Sequence, residues 1–246
     1  MKGVGVLGAT GSIGLSTLSV IRRHPEAFRV VALAAGSSVE ELEPLADEFR
    51  VTQVALGSES ALQGREDLTG RGWQTGAEAV ASLAALDEVD IVVNALVGAA
   101  GLRSTLAALE AGKRCALANK ESLVAGGDLV LEAARRGGGE LVPVDSEHSA
   151  ILQCMGSRTS EEVARVILTA SGGPFRTLSR SELEGVTARE ALKHPTWDMG
   201  AKITVDSATL ANKALEVIEA HFLYGLPYDR IEAVVHPTSI IHSFVE

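Results

Sequence analysis

Short apolar, β-branched runs alternate along the first half of the chain with longer stretches in which apolar positions recur every three or four residues. The runs at 4–7, 30–34, 51–56, 91–94, 114–118 and 141–144 are short and nearly continuous in apolar character, as strands covered on both faces are. Between them, 13–23, 39–48, 77–86, 102–111 and 127–136 carry the helical period. Strands and helices in alternation predict βαβ units, and so a doubly wound parallel sheet with helices on both sides. The three glycines at 137–139 end a helix and turn the chain into the last of these strands.

Beyond residue 144 the pattern changes. Ser, His and Asp gather among 163–169, 194–202 and 206–212, with strands expected at 163–169 and 231–236 and a long helix at 209–224. The boundary is placed near Asp145, giving domains 1–145 and 146–246, the second of α+β type. The segment 64–76 is rich in Gly and charge and reads as surface, with no function assigned.

Composition narrows this picture. Hydrophobic residues make up 46% of the 246 residues but aromatic ones only 4%, so the core must be built from Ala, Val, Leu and Ile. A formal net charge of −10 excludes a nucleic-acid scaffold, which needs clustered Lys and Arg, but leaves room for a small phosphorylated ligand. Cys115 and Cys154 lack metal-type or secreted spacing and read as two buried thiols in a reducing cytosol. Neither a signal-peptide pattern nor an apolar run of membrane-spanning length occurs, and the expected address is cytoplasmic.

Candidate chemistry begins at residue 8. Gly8-Ala9-Thr10-Gly11-Ser12-Ile13-Gly14 follows the first strand and opens the first helix. In that position glycines allow close backbone approach, and the helix N-terminus offers N–H groups to a dinucleotide pyrophosphate. The spacing is GxxGxxG rather than GxGxxG, and an ordinary strand-to-helix turn is the alternative. The second strand ends at Gly36-Ser37-Ser38 without the acid that would bind a ribose diol, so Ser37 and Ser38 either read a 2′-phosphate or cap the next helix. No Arg or Lys accompanies them.

Four further constellations stand in the second half. If the chain stays extended past residue 144, Asp145 and Glu147 point to one side, a pair suited to a hard divalent cation or simply a solvated strand end. On the expected helix after Asp206-Ser207, Asn212 and Glu216 are four apart and Lys213 three before Glu216, sharing a face as either a site or a surface ion pair. Ser207 then lies near that helix's N-terminus, as a cap or a phosphate donor. Ser171-Gly172-Gly173-Pro174 forms a loop that a ligand can approach or a plain sharp turn, and the 194–200 segment joins His194 to Trp197 and Met199 as cover or core.

Taken together, GATGSIG at Gly8, ANKESLV at Ala118, PVDSEHSAI at Pro143, SGGPFR at Ser171, HPTWDMGAKITVDSATLANKALEVIEA at His194 and HPTSIIHS at His236 closely resemble the 1-deoxy-D-xylulose 5-phosphate reductoisomerase family, in the family's order along the whole chain. The resemblance implies an α/β, Rossmann-like NADPH-binding domain followed by an α+β catalytic and connective domain. It implies NADP-dependent oxidoreductase activity with Mn²⁺, Mg²⁺ or Co²⁺, converting 1-deoxy-D-xylulose 5-phosphate to 2-C-methyl-D-erythritol 4-phosphate in non-mevalonate isoprenoid biosynthesis. By the matching motifs, Asp145, Glu147 and Glu216 are implied as metal ligands. Lys120, Glu147, His194 and Lys213 are the implied catalytic residues, and Ser146, Ser171, Trp197, Ser207, Asn212 and Glu216 are implied to contact substrate with them. Gly8, Thr10, Gly11, Ser12, Ile13, Gly36, Ser37, Asn119, Glu121 and Gly200 are the implied cofactor contacts. No nucleic-acid or membrane partner is implied, and a full-length form is expected to be a homodimer. Family members commonly continue past HPTSIIHS into a C-terminal helical domain, so a truncated form is expected, its own activity open. A simpler metal-independent dehydrogenase and a non-catalytic nucleotide-binding module are the competing classes.

Overall fold

The computed structural model describes residues 1–197 and 199–246. The chain divides into two compact units, 1–143 and 144–246.

In the first unit, β1 (Lys2–Leu7), α1 (Ser12–Arg23), β2 (Phe28–Ala35), α2 (Val39–Phe49), β3 (Gln53–Leu56), α3 (Glu66–Gly70), β4 (Gln74–Thr75), α4 (Ala77–Ala84), β5 (Ile91–Asn94), α5 (Gly101–Glu110), β6 (Arg114–Leu117), α6 (Lys120–Gly137) and β7 (Glu140–Pro143) follow in sequence. The strands form one parallel sheet in the order β4-β3-β2-β1-β5-β6-β7. The order reverses between β1 and β5, and at such a switch point the strand ends open a crevice for a ligand. Aliphatic side chains fill the core around this sheet, among them Val4, Val6, Leu18, Leu33, Leu42, Val54 and Leu56. The doubly wound architecture is the one the alternation predicts.

Two segments depart from expectation. The 64–76 stretch holds α3 and β4, and it buries Leu68 (0% exposed) and Trp73 (3%) in the core, so it is surface only in part. Its glycines and charges mask two apolar anchors. Helix α6 starts at Lys120, seven residues before the expected 127, because the Asn119 side chain caps it. Non-helical backbone at Gly126 interrupts the period that the sequence pattern relies on.

The second unit contains α7 (Ser146–Met155), β8 (Val166–Ala170), α8 (Arg180–Leu183), α9 (Ala188–Ala191), α10 (Ala201–Ala208), α11 (Ala211–Tyr224), β9 (Ile231–Val235) and β10 (Ser243–Val245). Its mixed three-stranded sheet runs β10-β8-β9, with β8 parallel to β9 and antiparallel to β10. Ile151 and Met155 of α7 and Ala220 and Tyr224 of α11 pack with Val166, Leu168 and Ile231 of the sheet.

Here the structure corrects four readings. The chain does not stay extended through residue 147: β7 ends at Pro143, and Asp145 is the N-cap of α7, which places it in the second unit rather than at the end of the first. The expected 209–224 helix starts at Ala211, and Leu210 takes the left-handed conformation (φ 61°) at the break from α10. Ser207 therefore lies in the last turn of α10, not at a helix N-terminus. Cys115 is buried but Cys154 is exposed on α7. No helix among the described residues is long and apolar enough to cross a membrane.

Candidate active site

In the first unit, the crevice beside the switch point is a cavity of about 540 Å³. It is lined by the turn after β1 (Gly8, Thr10, Gly11), the end of β2 (Ala35, Gly36, Ser37), Gly57 and Ser58 after β3, and Ala95, Leu96 and Val97 after β5. The three turn glycines are not equivalent. A Cβ on Gly8, whose φ is +88°, would meet the Ala95 carbonyl oxygen at 2.4 Å, and one on Gly14 would meet the Gly8 oxygen at 2.2 Å. These two are demanded by the protein's own backbone. A Cβ on Gly11 would come only to 3.4 Å of the Gly8 oxygen, and one on Gly36 would meet nothing within 4 Å, so neither is explained by packing. Both lie on the cavity wall, where a bare backbone admits a ligand.

Ser12 and Ile13 form the first turn of α1, whose N–H groups have no acceptor within the helix. Among the described residues, no charged side chain lines the cavity. Ser38 stands at the N-cap of α2 but makes no side-chain capping bond, which weakens the reading of Ser37 and Ser38 as a mere cap.

Asn119, expected to contact the cofactor, is 1% exposed and its amide is spent within the protein. Its Nδ2 donates to the carbonyls of Leu96 (2.8 Å) and Gly98 (2.9 Å) and to Glu121 Oε2 (3.0 Å), and its Oδ1 accepts from Ser122 N (3.0 Å) and Ser122 Oγ (2.5 Å). It fixes the Leu96–Gly98 wall of the cavity. Asn94, fully buried at the end of β5, donates to Gly101 O and Thr105 Oγ1 at 2.8 Å and braces the same loop from below. Lys120, the next residue, is buried at the first position of α6.

The second unit holds a cavity of about 430 Å³. Asp145, Ser146 and Glu147 enter it from the start of α7, Asn212, Lys213 and Glu216 from α11, and Ser171, His194, Trp197 and Ser207 from the loops and α10. The carboxylates of Asp145, Glu147 and Glu216 each bring one oxygen within 4.8 Å of the others, the group of this kind found among the described residues. At an effective dielectric near 20, two full charges at that separation repel by roughly 3 kcal/mol. The fold offsets part of this. Asp145 Oδ1 accepts the N–H groups of Glu147 (3.1 Å) and His148 (3.4 Å) at the positive end of α7. Lys213 Nζ contacts Glu216 Oε2 and lies 3.8 Å from Glu147 Oε1. Glu216 is 1% exposed and Lys213 7%, so the surface ion pair allowed by the sequence is instead an interior one. Asn212 Nδ2 donates to Glu216 Oε1 at 2.5 Å, and Ser146 Oγ to Glu147 Oε2 at 2.6 Å. Three hard oxygen donors with no thiolate or imidazole among them fit a small divalent cation such as Mg²⁺ or Mn²⁺.

Across the cavity, His194 Nε2 lies 2.9 Å from Ser171 Oγ, while its Nδ1 accepts the backbone N–H groups of Thr196 (3.1 Å) and Trp197 (2.9 Å). An Nδ1 that accepts leaves the ring proton on Nε2. Burial, with the charge of Arg176 adding to it, holds the His194 pKa below the usual histidine value. Trp197 is a half-exposed wall residue rather than core. Gly200 is the N-cap of α10.

The comparisons with known proteins agree with one another. The family model for 1-deoxy-D-xylulose 5-phosphate reductoisomerase matches residues 4–127, and the model for its C-terminal domain matches 141–224. The chain belongs to the 1-deoxy-D-xylulose 5-phosphate reductoisomerase family. It is 53% identical to the reductoisomerase of Chlorobaculum tepidum over its whole length, covering 65% of that protein. It is 55% identical to that of Mycobacterium marinum, over 98% of this chain and 58% of the relative. Among solved structures, it is similar to a reductoisomerase in complex with NADPH, fosmidomycin and magnesium, with a TM-score of 0.93, 44% identity and coverage of all of this chain and 64% of that one. The Zymomonas mobilis enzyme in complex with NADPH gives 0.89 at 45% identity, over all of this chain and 64% of that one. The chain thus spans about 65% of the length of the first curated relative.

Within this reductoisomerase fold, sequence reasoning left His242 without a role. Its Nδ1 lies 3.6 Å from Glu147 Oε1, and its ring is 6.5 Å from that of Trp197. Ser239 lines the cavity beside it. The only available signal was the HPTSIIHS motif, which supported the resemblance but did not show which face it presents.

Proposed function

We propose that this chain carries the NADPH site and the metal and substrate site of a 1-deoxy-D-xylulose 5-phosphate reductoisomerase. In this reading, residues 1–143 bind NADPH and 144–246, Asp145 included, bind the cation and the sugar phosphate. The observation that carries it is the convergence of Asp145, Glu147 and Glu216 in one cavity with Lys213, Asn212, Ser207 and the Ser171–His194 pair. The NADPH assignment is supported by bare backbone at Gly11 and Gly36 and by the absence of a carboxylate at the end of β2.

Asp145, Glu147 and Glu216 would hold the divalent ion, which when bound supplies Lewis-acid polarisation of the substrate ketone and its neighbouring hydroxyl. The chain's own groups do the rest. Lys213 donates from a buried position and keeps the acidic cluster partly neutral. Ser171 and His194 donate to phosphate oxygens as O–H and Nε2–H, together with Ser207 and Asn212, and so fix the reacting carbons. Trp197 covers the cavity and limits water. Lys120 is assigned to the substrate by its family motif alone. After rearrangement of the carbon skeleton to the aldehyde, a hydride from NADPH and a proton complete reduction to 2-C-methyl-D-erythritol 4-phosphate. Thr10, Ser12, Ile13, Ser37, Glu121 and Gly200 complete the cofactor contacts, with Asn119 acting through the Leu96–Val97 loop. This reading places the enzyme in the cytoplasm as a homodimer at full family length.

The test is Glu216→Gln in a chain of full family length carrying this sequence. Metal-dependent NADPH oxidation with 1-deoxy-D-xylulose 5-phosphate is expected to be abolished, with NADPH affinity nearly unchanged. Undiminished turnover would overturn the metal assignment, and turnover without metal would favour a simple dehydrogenase.

A further inference from the structure

Helix α7 with its N-cap Asp145, and helix α11, carry the three acidic residues of the cavity found among the described residues, and one layer beneath it they meet again through side chains to which no role has been given. His148 directly follows Glu147, and Glu219 lies one helical turn after Glu216. His148 is fully buried, and its Nε2 lies 3.4 Å from Glu219 Oε2, itself buried. Farther along α11, Tyr224 donates its hydroxyl to the backbone carbonyl of His148 at 2.6 Å. Burial, with the charges of Asp145 and Glu219, pushes the Tyr224 phenol up, so its O–H stays a donor.

We propose that His148, Glu219 and Tyr224 are positioning residues that set the separation of α7 and α11, and through it the spacing of Asp145 and Glu147 from Glu216. The inference rests on the metal reading above. Its physical basis is a conflict between the two layers. In the upper layer three like charges push the helices apart. In the lower layer the short Tyr224 hydroxyl-to-carbonyl bond ties them together, and the buried His148 ring packs with its Nε2 3.4 Å from Glu219 Oε2, with no hydrogen bond between the two atoms. A buried polar pair contributes little net stability compared with an apolar pair of the same volume. What does supply direction is the Tyr224 bond, because hydroxyl and carbonyl meet at one helix separation, with the buried ring and carboxylate filling the space beside it. The Tyr224 bond ends on the backbone of α7 one residue past Glu147, and Ser243 Oγ donates to the Glu147 carbonyl at 2.9 Å from the sheet side. The first turn of α7 is thereby held from two directions.

Titration of the chain with Mn²⁺ alone, followed by electron paramagnetic resonance of the free ion, tests this in Tyr224→Phe, Glu219→Gln and Glu216→Gln. Supporting residues of a metal site typically change affinity by about tenfold or more. Tyr224→Phe and Glu219→Gln are each expected to raise the Mn²⁺ Kd to that extent, with NADPH affinity and the circular dichroism spectrum unchanged. Tyr224→Phe is decisive because it alters no charge, and it carries the test if Glu219→Gln fails to fold. A lowered Tm with an unchanged Mn²⁺ Kd overturns the proposal, leaving a structural role only. Loss of Mn²⁺ binding in Glu216→Gln alone keeps the metal reading while removing the clamp. Normal binding in Glu216→Gln removes both.

Discussion

Ser171 and His194 are joined through Nε2, and the other ring nitrogen accepts two backbone N–H groups. The ring is therefore built to stay neutral. With its folded pKa below the ordinary value near 6.5, the folded state binds fewer protons than the unfolded one. The contribution to stability is present above that pH and is lost as pH falls through the folded pKa. In Arg176→Gln the second of the two causes is removed, and the His194 midpoint should rise part of the way to its ordinary value. Two-dimensional ¹⁵N NMR of the imidazole resonances reads this, and an unmoved midpoint would leave burial as the only cause.

Lys213 occupies the space between Glu216 and Glu147, where it competes with a cation for the same oxygens. Lys213→Met keeps most of the volume and removes the competitor. Mn²⁺ should bind roughly tenfold tighter, equivalent to about 1.4 kcal/mol, while turnover of the sugar phosphate is lost. Calorimetry with Mn²⁺ and a steady-state assay separate the two effects. Weaker Mn²⁺ binding would show that the ammonium organises the site rather than shielding it.

The glycine turn makes a contrast that depends on position alone. Gly14→Ala forces a Cβ against backbone at 2.2 Å and should cost about 2 kcal/mol or more of stability. Gly11→Ala meets only an ordinary contact and should leave Tm unchanged, yet raise the NADPH Kd at least about tenfold, since a methyl group there intrudes on the pyrophosphate. Thermal melts and fluorescence titration check the pair. Normal NADPH affinity in Gly11→Ala would place the pyrophosphate elsewhere.

The two cysteines should differ in reactivity. Burial pushes the Cys115 thiol up to about 12, whereas Cys154 is exposed. One thiol is expected to react with an aromatic disulfide reagent in the native protein and two in denaturant. Two reactive thiols under native conditions would mean that the β6 region opens readily.

The parallel sheet was legible because its strands are buried on both faces and leave unbroken apolar runs, as at 30–34 and 91–94. Helix α7 was not, because polar residues dominate its first turn and its start depends on one Asp side chain. The break at Leu210 was hidden for a different reason: nothing in a leucine announces left-handed backbone. Of the site, the residue types and their spacing on α11 were readable, since Asn212, Lys213 and Glu216 share a face wherever that helix begins. Burial was not readable, and burial turns Lys213 and Glu216 from an exposed surface pair into an interior one. The depth of Asn119 was hidden in the same way, because a sequence does not show which side of a loop an amide supports.

The carboxylate of Asp145 serves two demands that seldom coincide. It is short enough to hold the N–H groups of Glu147 and His148, and under the proposed function it must also be charged enough to draw a cation. Asparagine meets the first demand and glutamate the second, so no neighbouring residue type can replace it in a single step. Under that reading the position is closed to gradual substitution.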